Sequence, residues 1–114
     1  KEPLSPAVIQ NEAQWANVVR WVIYTTFYAE ELGIDSKNVD DMLKSDSTDI
    51  KRFLGVTGTL GKDMAITNDA FYRVIKLVGN YAEIYDRTVG KLGIPRGLNS
   101  PYTKGGLQYS PPFR

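Results

Sequence analysis

The sequence has no cysteine and no histidine. The first absence removes disulfide frameworks and thiolate metal sites. The second removes Ser-His-Asp triads, Cys-His pairs and the common zinc ligand sets. Any catalytic chemistry would have to rest on carboxylates, lysine or tyrosine. Long hydrophobic runs are also missing. The longest uncharged apolar stretch, Trp21 to Ala29, is well short of the roughly 20 residues that a membrane-spanning helix needs. A further absence is local: residues 87–114 contain no aspartate or glutamate, yet hold five of the fourteen Lys and Arg.

What is present suits one domain. The 114 residues are 42% apolar and 11% aromatic, enough for a real core and too much for a disordered chain. Net charge is +1, but it is divided unevenly. Residues 1–86 carry nine basic and thirteen acidic side chains, a balance of −4, against +5 for residues 87–114. Such a division implies either an anionic partner for the basic segment or its return onto the chain's own acidic part. That segment also holds four of the six prolines and five of the ten glycines, with Tyr102, Tyr109 and Phe113 among them. It cannot form a helix, and it is too rich in large apolar groups for a solvated linker.

Along the chain, Leu4 to Ile9 reads as extended, because Pro3 and Pro6 exclude a helix and Val8 and Ile9 favour a strand. A lone strand leaves its backbone groups unpaired and needs a partner; no later segment supplies one. Asn11 to Leu32 is predicted as a long helix. Asn11 and Gln14 match a capping box, Gly33 stops the helix, and Ile34 supplies the apolar contact that follows a glycine C-cap. Trp15, Val18, Val19 and Val22 have helical spacing, and Trp21, Ile23, Tyr24, Phe27 and Tyr28 cover the remaining circumference. The expectation is a helix buried nearly all round. Shorter helices are predicted over Ser36–Lys44 and Thr48–Leu54, with Ser36 and Ser47 as caps and Gly55 as a stop. Asn68 is expected to cap a helix carrying Phe71, Val74, Ile75 and Val78. Asn80 and Glu83 form a second capping box that opens a helix to about Val89. Loops and turns follow from Gly90.

Several motifs invite a chemical reading and do not sustain it. Gly55, Gly58, Gly61 and Lys62 suggest a phosphate loop. Val56 stands where its first glycine belongs, however, and Asp63 stands where a magnesium-binding Ser or Thr belongs. The pairs Glu30-Glu31 and Asp40-Asp41 point about 100° apart on a helix and converge on nothing. Asp46, Thr48 and Asp49 lack the ordered ligand loop and terminal bidentate Glu of a calcium site. Tyr24, Tyr28, Tyr72, Tyr81 and Tyr85 fall at core-like spacing. The tail's basic and aromatic residues can in principle stack bases and meet phosphates, but five dispersed charges beside an acidic domain argue against it.

Taken together, a set of segments carries a resemblance. They are Lys1-Glu-Pro-Leu-Ser-Pro-Ala-Val8, Gln14-Trp15, Arg20-Trp21-Val22-Ile23-Tyr24, Ala29-Glu-Glu-Leu-Gly-Ile34 and Asn38-Val39-Asp40. With them go Gly79-Asn-Tyr-Ala-Glu-Ile-Tyr85, Arg96-Gly-Leu-Asn99 and Gly105-Gly-Leu-Gln-Tyr-Ser-Pro-Pro-Phe-Arg114. These resemble the C-terminal part of the general L-amino-acid-binding periplasmic proteins of ABC importers, over almost the whole chain. The departure is Ile9-Gln-Asn-Glu12, where the family tends to carry Arg and then Gly-Asp.

The resemblance implies a mainly α chain: one N-terminal strand, about five helices and an extended tail, forming the C-terminal part of a type II periplasmic-binding-protein-like α/β fold. Residues 1–10 would be a hinge strand returning from the second lobe, with Lys1, Glu2 and Pro3 as hinge candidates. Residues 11–90 would be the helical part of the first lobe and its extension. Residues 91–114 would be a tail packed on the helices through Tyr102, Tyr109 and Phe113. The implied activity is capture of L-amino acids by hinge closure and delivery to an ABC permease in the periplasm, with no catalysis, cofactor or metal. The main ligand contacts of that family come from segments preceding this one, so no ligand-binding residue is assigned here. The implied partners are the missing N-terminal portion or a second copy of the chain, the permease, and an L-amino acid only as part of the full-length protein; no nucleic acid is implied. Two rivals remain: an independent helical interaction or dimerisation module without ligand binding, and a weak nucleic-acid binder acting through the basic tail.

Overall fold

The computed structural model describes residues 5–114 and is mainly helical. Six α-helices follow in order: α1 (Ala13–Glu31), α2 (Val39–Met42), α3 (Thr48–Phe53), α4 (Leu60–Asp63), α5 (Ala70–Val78) and α6 (Tyr81–Arg87). Short 3-10 turns then occupy Val89–Leu92, Gly97–Asn99 and Tyr102–Lys104. Among the described residues there is no β-ladder, and an isolated bridge joins Pro101 to Gln108.

The expected strand therefore does not appear in the described part of Leu4–Ile9. Residues 5–9 are without regular structure and exposed, Ile9 by 73%. The reason is the one the sequence raised: a strand needs an edge to pair with, and no described segment offers one. The hinge candidates Lys1, Glu2 and Pro3 lie outside the described residues.

Helix α1 starts later than its capping pattern predicts. Asn11 takes a left-handed conformation (φ 70°), which asparagine tolerates better than most residues. Glu12 becomes the N-cap, with no side-chain capping bond. The far end follows the sequence. Gly33 is left-handed (φ 68°), its N–H donates to the Glu30 carbonyl at 3.1 Å, and the Ile34 N–H donates to the Ala29 carbonyl at 2.8 Å. These two bonds satisfy carbonyls that the helix leaves open, and Ile34 then turns fully into the core.

The connections between the short helices are fixed by side chains. Ser47 caps α3 by accepting from the Ile50 N–H. Ser36 is not a cap: its hydroxyl and N–H both donate to Glu83, while Asp35 accepts from the N–H groups of Lys37 and Asn38. Asn68 does not cap α5 either. Its amide nitrogen donates to the carbonyls of Gly55 and Gly58 at 3.2 and 2.8 Å, and its oxygen accepts from the Gly61 N–H at 3.3 Å. The glycine-rich stretch is thus a folded connection held by one amide. A Cβ on Gly55 would lie 1.9 Å from the Asn68 carbonyl oxygen, which explains why glycine stands there. The Asn80–Glu83 capping box forms in full and opens α6. Asn80 also donates to the Ile34 carbonyl at 2.8 Å, tying α6 to the end of α1.

The core is a cluster of Ala29, Ile34, Val39, Phe53, Leu54, Phe71, Ile75 and Phe113. Its apolar side chains come from α1, α2, α3, α5 and the tail. Phe113, 3% exposed, is its hub. Its ring meets those of Trp21, Tyr28, Phe53 and Phe71 at centroid distances of 4.9, 5.1, 4.8 and 5.0 Å. Three of these contacts are edge to face, the arrangement that ring quadrupoles favour.

Candidate functional site: the open face of the first helix

Helix α1 is expected to be buried nearly all round, and it is not. Its fully buried residues, Thr25, Thr26 and Ala29, all lie in the C-terminal half, where Phe27 meets Tyr81 of α6 and Ala29 shares the core with Phe71 and Ile75 of α5. From Ala13 to Ile23 no side chain is fully buried, and Trp15 is 56% exposed. The only charge in that half is Arg20, which reaches back to the Asn17 side chain at 3.3 Å. The result is an apolar half that the described residues cover only in part.

Two clefts flank this face. One, of about 280 Å³, runs between Trp15 and Val18 on α1 and Met64, Ala65 and Ile66 beyond α4. The other, of about 220 Å³, lies under Pro6 and Val8 beside Ala16, Val19 and Ile23. A third, about 190 Å³, sits where the core reaches the surface among Trp21, Met64, Phe71 and Phe113, with Asp63 and Arg114 at its edge. All three are open and mostly apolar in their lining. Among the described residues no His, Cys, Asp and Glu side chains gather as a metal site, and no helix is long and apolar enough to cross a membrane.

At the C-terminal end of α1 the tail is clamped by charge. Arg96 makes a two-pronged ion pair with Glu30, at 2.7 and 3.0 Å, and donates to the Asn99 carbonyl at 2.6 Å. Its guanidinium lies 5.3 Å from the Tyr81 ring centroid and 5.6 Å from that of Tyr85. The Tyr85 hydroxyl donates to the carbonyls of Ile94 and Pro95, holding the segment that delivers Arg96. Further on, the Ser110 N–H donates to Glu31 at 3.1 Å. Burial pushes the Glu31 carboxyl above its ordinary range; the Ser110 bond opposes this, and the Glu30 charge adds to it. The Glu30-Glu31 pair thus receives two different parts of the tail.

The other singled-out residues fall as follows. Tyr102 and Tyr109, expected to anchor the tail on the helices, are 52% and 55% exposed and pack edge to face on each other instead. The backbone turn between them brings their rings within 5.6 Å, which leaves each ring covered by the other and by solvent. Tyr28 stacks on Phe113, and burial, with lesser contributions from Asp49 and Glu31, pushes its hydroxyl pKa up. On the surface, Asp40 accepts from Lys76 and from the Tyr72 hydroxyl; these bonds, Lys76 first, lower its pKa. Sequence reasoning missed the Arg96–Glu30 clamp, whose partners stand sixty-six positions apart. The one signal was the opposite net charge of tail and domain.

The first half of α1 is thus a largely exposed apolar surface on a chain that otherwise closes its own core. The chain is related along its whole length to the amino-acid-binding periplasmic proteins of ABC transporters. It is 52% identical to the general L-amino-acid-binding periplasmic protein of Rhizobium johnstonii and 41% identical to the glutamate/glutamine/aspartate/asparagine-binding protein of Rhodobacter capsulatus. It spans 35% of the length of each. A solved ABC transporter periplasmic binding protein from Brucella ovis, with glutathione bound, matches 94% of this chain with a TM-score of 0.90 and 47% identity; the chain again covers 35% of it. No protein-family model matches the chain.

Proposed function

We propose that this chain is the C-terminal part of a periplasmic protein that captures L-amino acids by hinge closure and delivers them to an ABC permease. In this reading residues 1–10 return from the second lobe through a hinge at Lys1, Glu2 and Pro3. Residues 11–90 form the helical part of the first lobe and its extension, and residues 91–114 strap them. The ligand contacts lie in the two thirds of the relatives that this chain does not span, and the chain performs no covalent chemistry. The observation that carries the proposal is the open half of α1, in a chain alignable from end to end with about a third of such proteins. The tail has no nucleic-acid role in this account, since Arg96, at its centre, is taken up by Glu30.

A chimera tests the proposal. The preceding two thirds of the Rhizobium johnstonii protein are joined to residues 1–114, and calorimetry is run with a mixed panel of L-amino acids. The chimera should bind, and the 114-residue chain alone should not bind tightly. Submicromolar binding by the chain alone would place the ligand site within it and overturn the proposal.

One observation favours a second reading, an independent helical module. The chain buries Phe53, Phe71 and Ile75 completely with its own residues. Sedimentation of the isolated chain separates the two. Self-association through the uncovered face supports the larger assembly, and a clean monomer supports the module.

A further inference from the structure

The tail presents a surface that neither reading above uses. Of the five cations in residues 87–114, Arg96 is spent on Glu30, Tyr81 and Tyr85. Arg87, Lys91, Lys104 and Arg114 are exposed and make no ion pair among the described residues. The same stretch leaves Leu92, Leu98, Leu107, Tyr102 and Tyr109 largely exposed. Four of these five are drawn into one turn. The Leu107 N–H donates to the Leu98 carbonyl at 2.8 Å, the Tyr102 N–H donates to the Gln108 carbonyl at 2.9 Å, and the two tyrosine rings touch. Lys104 lies at the tip of that turn, and Leu92 follows Lys91 in the preceding one.

The shape of this turn matters as much as its composition. Its backbone is satisfied from within: the N–H groups of Lys104 and Gly106 both donate to the Pro101 carbonyl, and that of Gly105 donates to Tyr102. No strand edge is offered for a partner strand. None of the three clefts described above involves Leu98, Tyr102, Leu107 or Tyr109. It is a turn with exposed leucine and tyrosine side chains and an exposed cation, Lys104, within it. A protein partner would need a groove for the leucines and acids in register with dispersed lysines. A lipid surface needs neither. Tyrosine and leucine enter the boundary between headgroups and acyl chains, while lysine and arginine meet the phosphates.

We propose that the turn from Leu98 to Tyr109, with Lys91 and Leu92 beside it in sequence, binds the surface of an anionic phospholipid bilayer. Each basic residue near such a surface strengthens binding about fivefold at moderate ionic strength. Removing two should weaken it roughly 25-fold.

Vesicle co-sedimentation of the 114-residue chain tests this. One set of vesicles is pure phosphatidylcholine; in the other about one third of the lipid is phosphatidylglycerol. Capture should be strong on the anionic vesicles, should fall as salt rises, and should be weak on the neutral ones. Lys91→Gln with Lys104→Gln should cut anionic capture roughly 25-fold, and Leu98→Ser with Leu107→Ser should cut it at least as far. These side chains are exposed, so both variants should keep the parent's helical circular dichroism and melting temperature. Trp15→Ser, on the open face of α1, should bind as the parent does. Equal capture on both vesicles, or capture on neither, overturns the proposal. So does loss of capture in Trp15→Ser with retention in the leucine pair, which would assign insertion to the helix face. Binding of a purified acidic protein through Lys104, without binding to vesicles, would make the turn a protein-docking surface and overturn the lipid assignment.

Discussion

The two halves of α1 are built from one continuous helix and meet opposite fates. From Ala13 to Ile23, eight of eleven residues are apolar; from Tyr24 to Glu31, four of eight are. The more apolar half is the more exposed one. Burial here is not set by composition. It is set by which elements reach the helix, and α5 and α6 reach its second half. The closed half works as the spine of the core, and the open half is left largely exposed. The contrast predicts that substitutions will divide sharply along the helix in the isolated chain, and that the division will disappear once the rest of such a protein is present.

The largest effect is expected at the closed end. Phe113→Ala empties the centre of four rings and should cost about 3–5 kcal/mol in urea unfolding. If the cost is under about 1 kcal/mol, the tail is not part of the core in solution and the contrast fails. Next comes Arg96→Met, which strands a Glu30 carboxylate whose side chain is only 6% exposed. About 3 kcal/mol should be lost, and the partner change Glu30→Gln made in the same chain should restore part of it. Asn80→Ala removes the α6 cap and the bond to the Ile34 carbonyl, and should cost about 1–2 kcal/mol.

Trp15→Ser sharpens the comparison from the other side. In the isolated chain its effect should lie within about 0.5 kcal/mol. In the chimera it should be several times larger if the proposed assembly covers the face. The smallest effect concerns Glu31. Its carboxyl pKa is raised by burial, so the folded state holds a proton more tightly than the unfolded chain does. This contribution favours folding at low pH and is lost as pH rises from the ordinary carboxylate pKa through the raised one. Glu31→Gln, which keeps an acceptor for the Ser110 N–H, should therefore raise the melting temperature slightly at neutral pH. The gain should shrink as the pH is lowered through that window.

Local signals were the most legible part of the fold. The glycine stop at Gly33 with Ile34 behind it, the Ser47 cap and the Asn80–Glu83 box are each written in three to six consecutive residues. Where a side chain had a choice of distant partners, the sequence misled. Asn68 reads as a cap, yet it bridges backward to three glycines; Ser36 reads as a cap, yet it goes to Glu83. Asn11 and Gln14 spell a capping box, but the left-handed turn at Asn11 takes that side chain out of position. The periodicity of α1 predicts burial nearly all round, yet only Thr25, Thr26 and Ala29 are buried, because periodicity does not say which elements will reach the helix. The tail's positive charge announced an acidic counterpart, and only tertiary structure could choose Glu30 among thirteen acids. Tyr102 and Tyr109 share the aromatic character of Phe113, and nothing local separates the ring that enters the core from the two that remain outside it.

The position of Phe113 has a meaning in time as well as in space. A ribosome makes Ala29 eighty-four residues before it makes the ring against which that region of the core closes. Throughout that interval Trp21, Tyr28, Phe53 and Phe71 can gather only around a gap. Closure of this cluster waits on Phe113, so a nascent chain that stalls just before it carries α1 to α6 and none of the hub. Such a product would show native-like helicity while lacking the cooperative unfolding of a chain that includes Phe113.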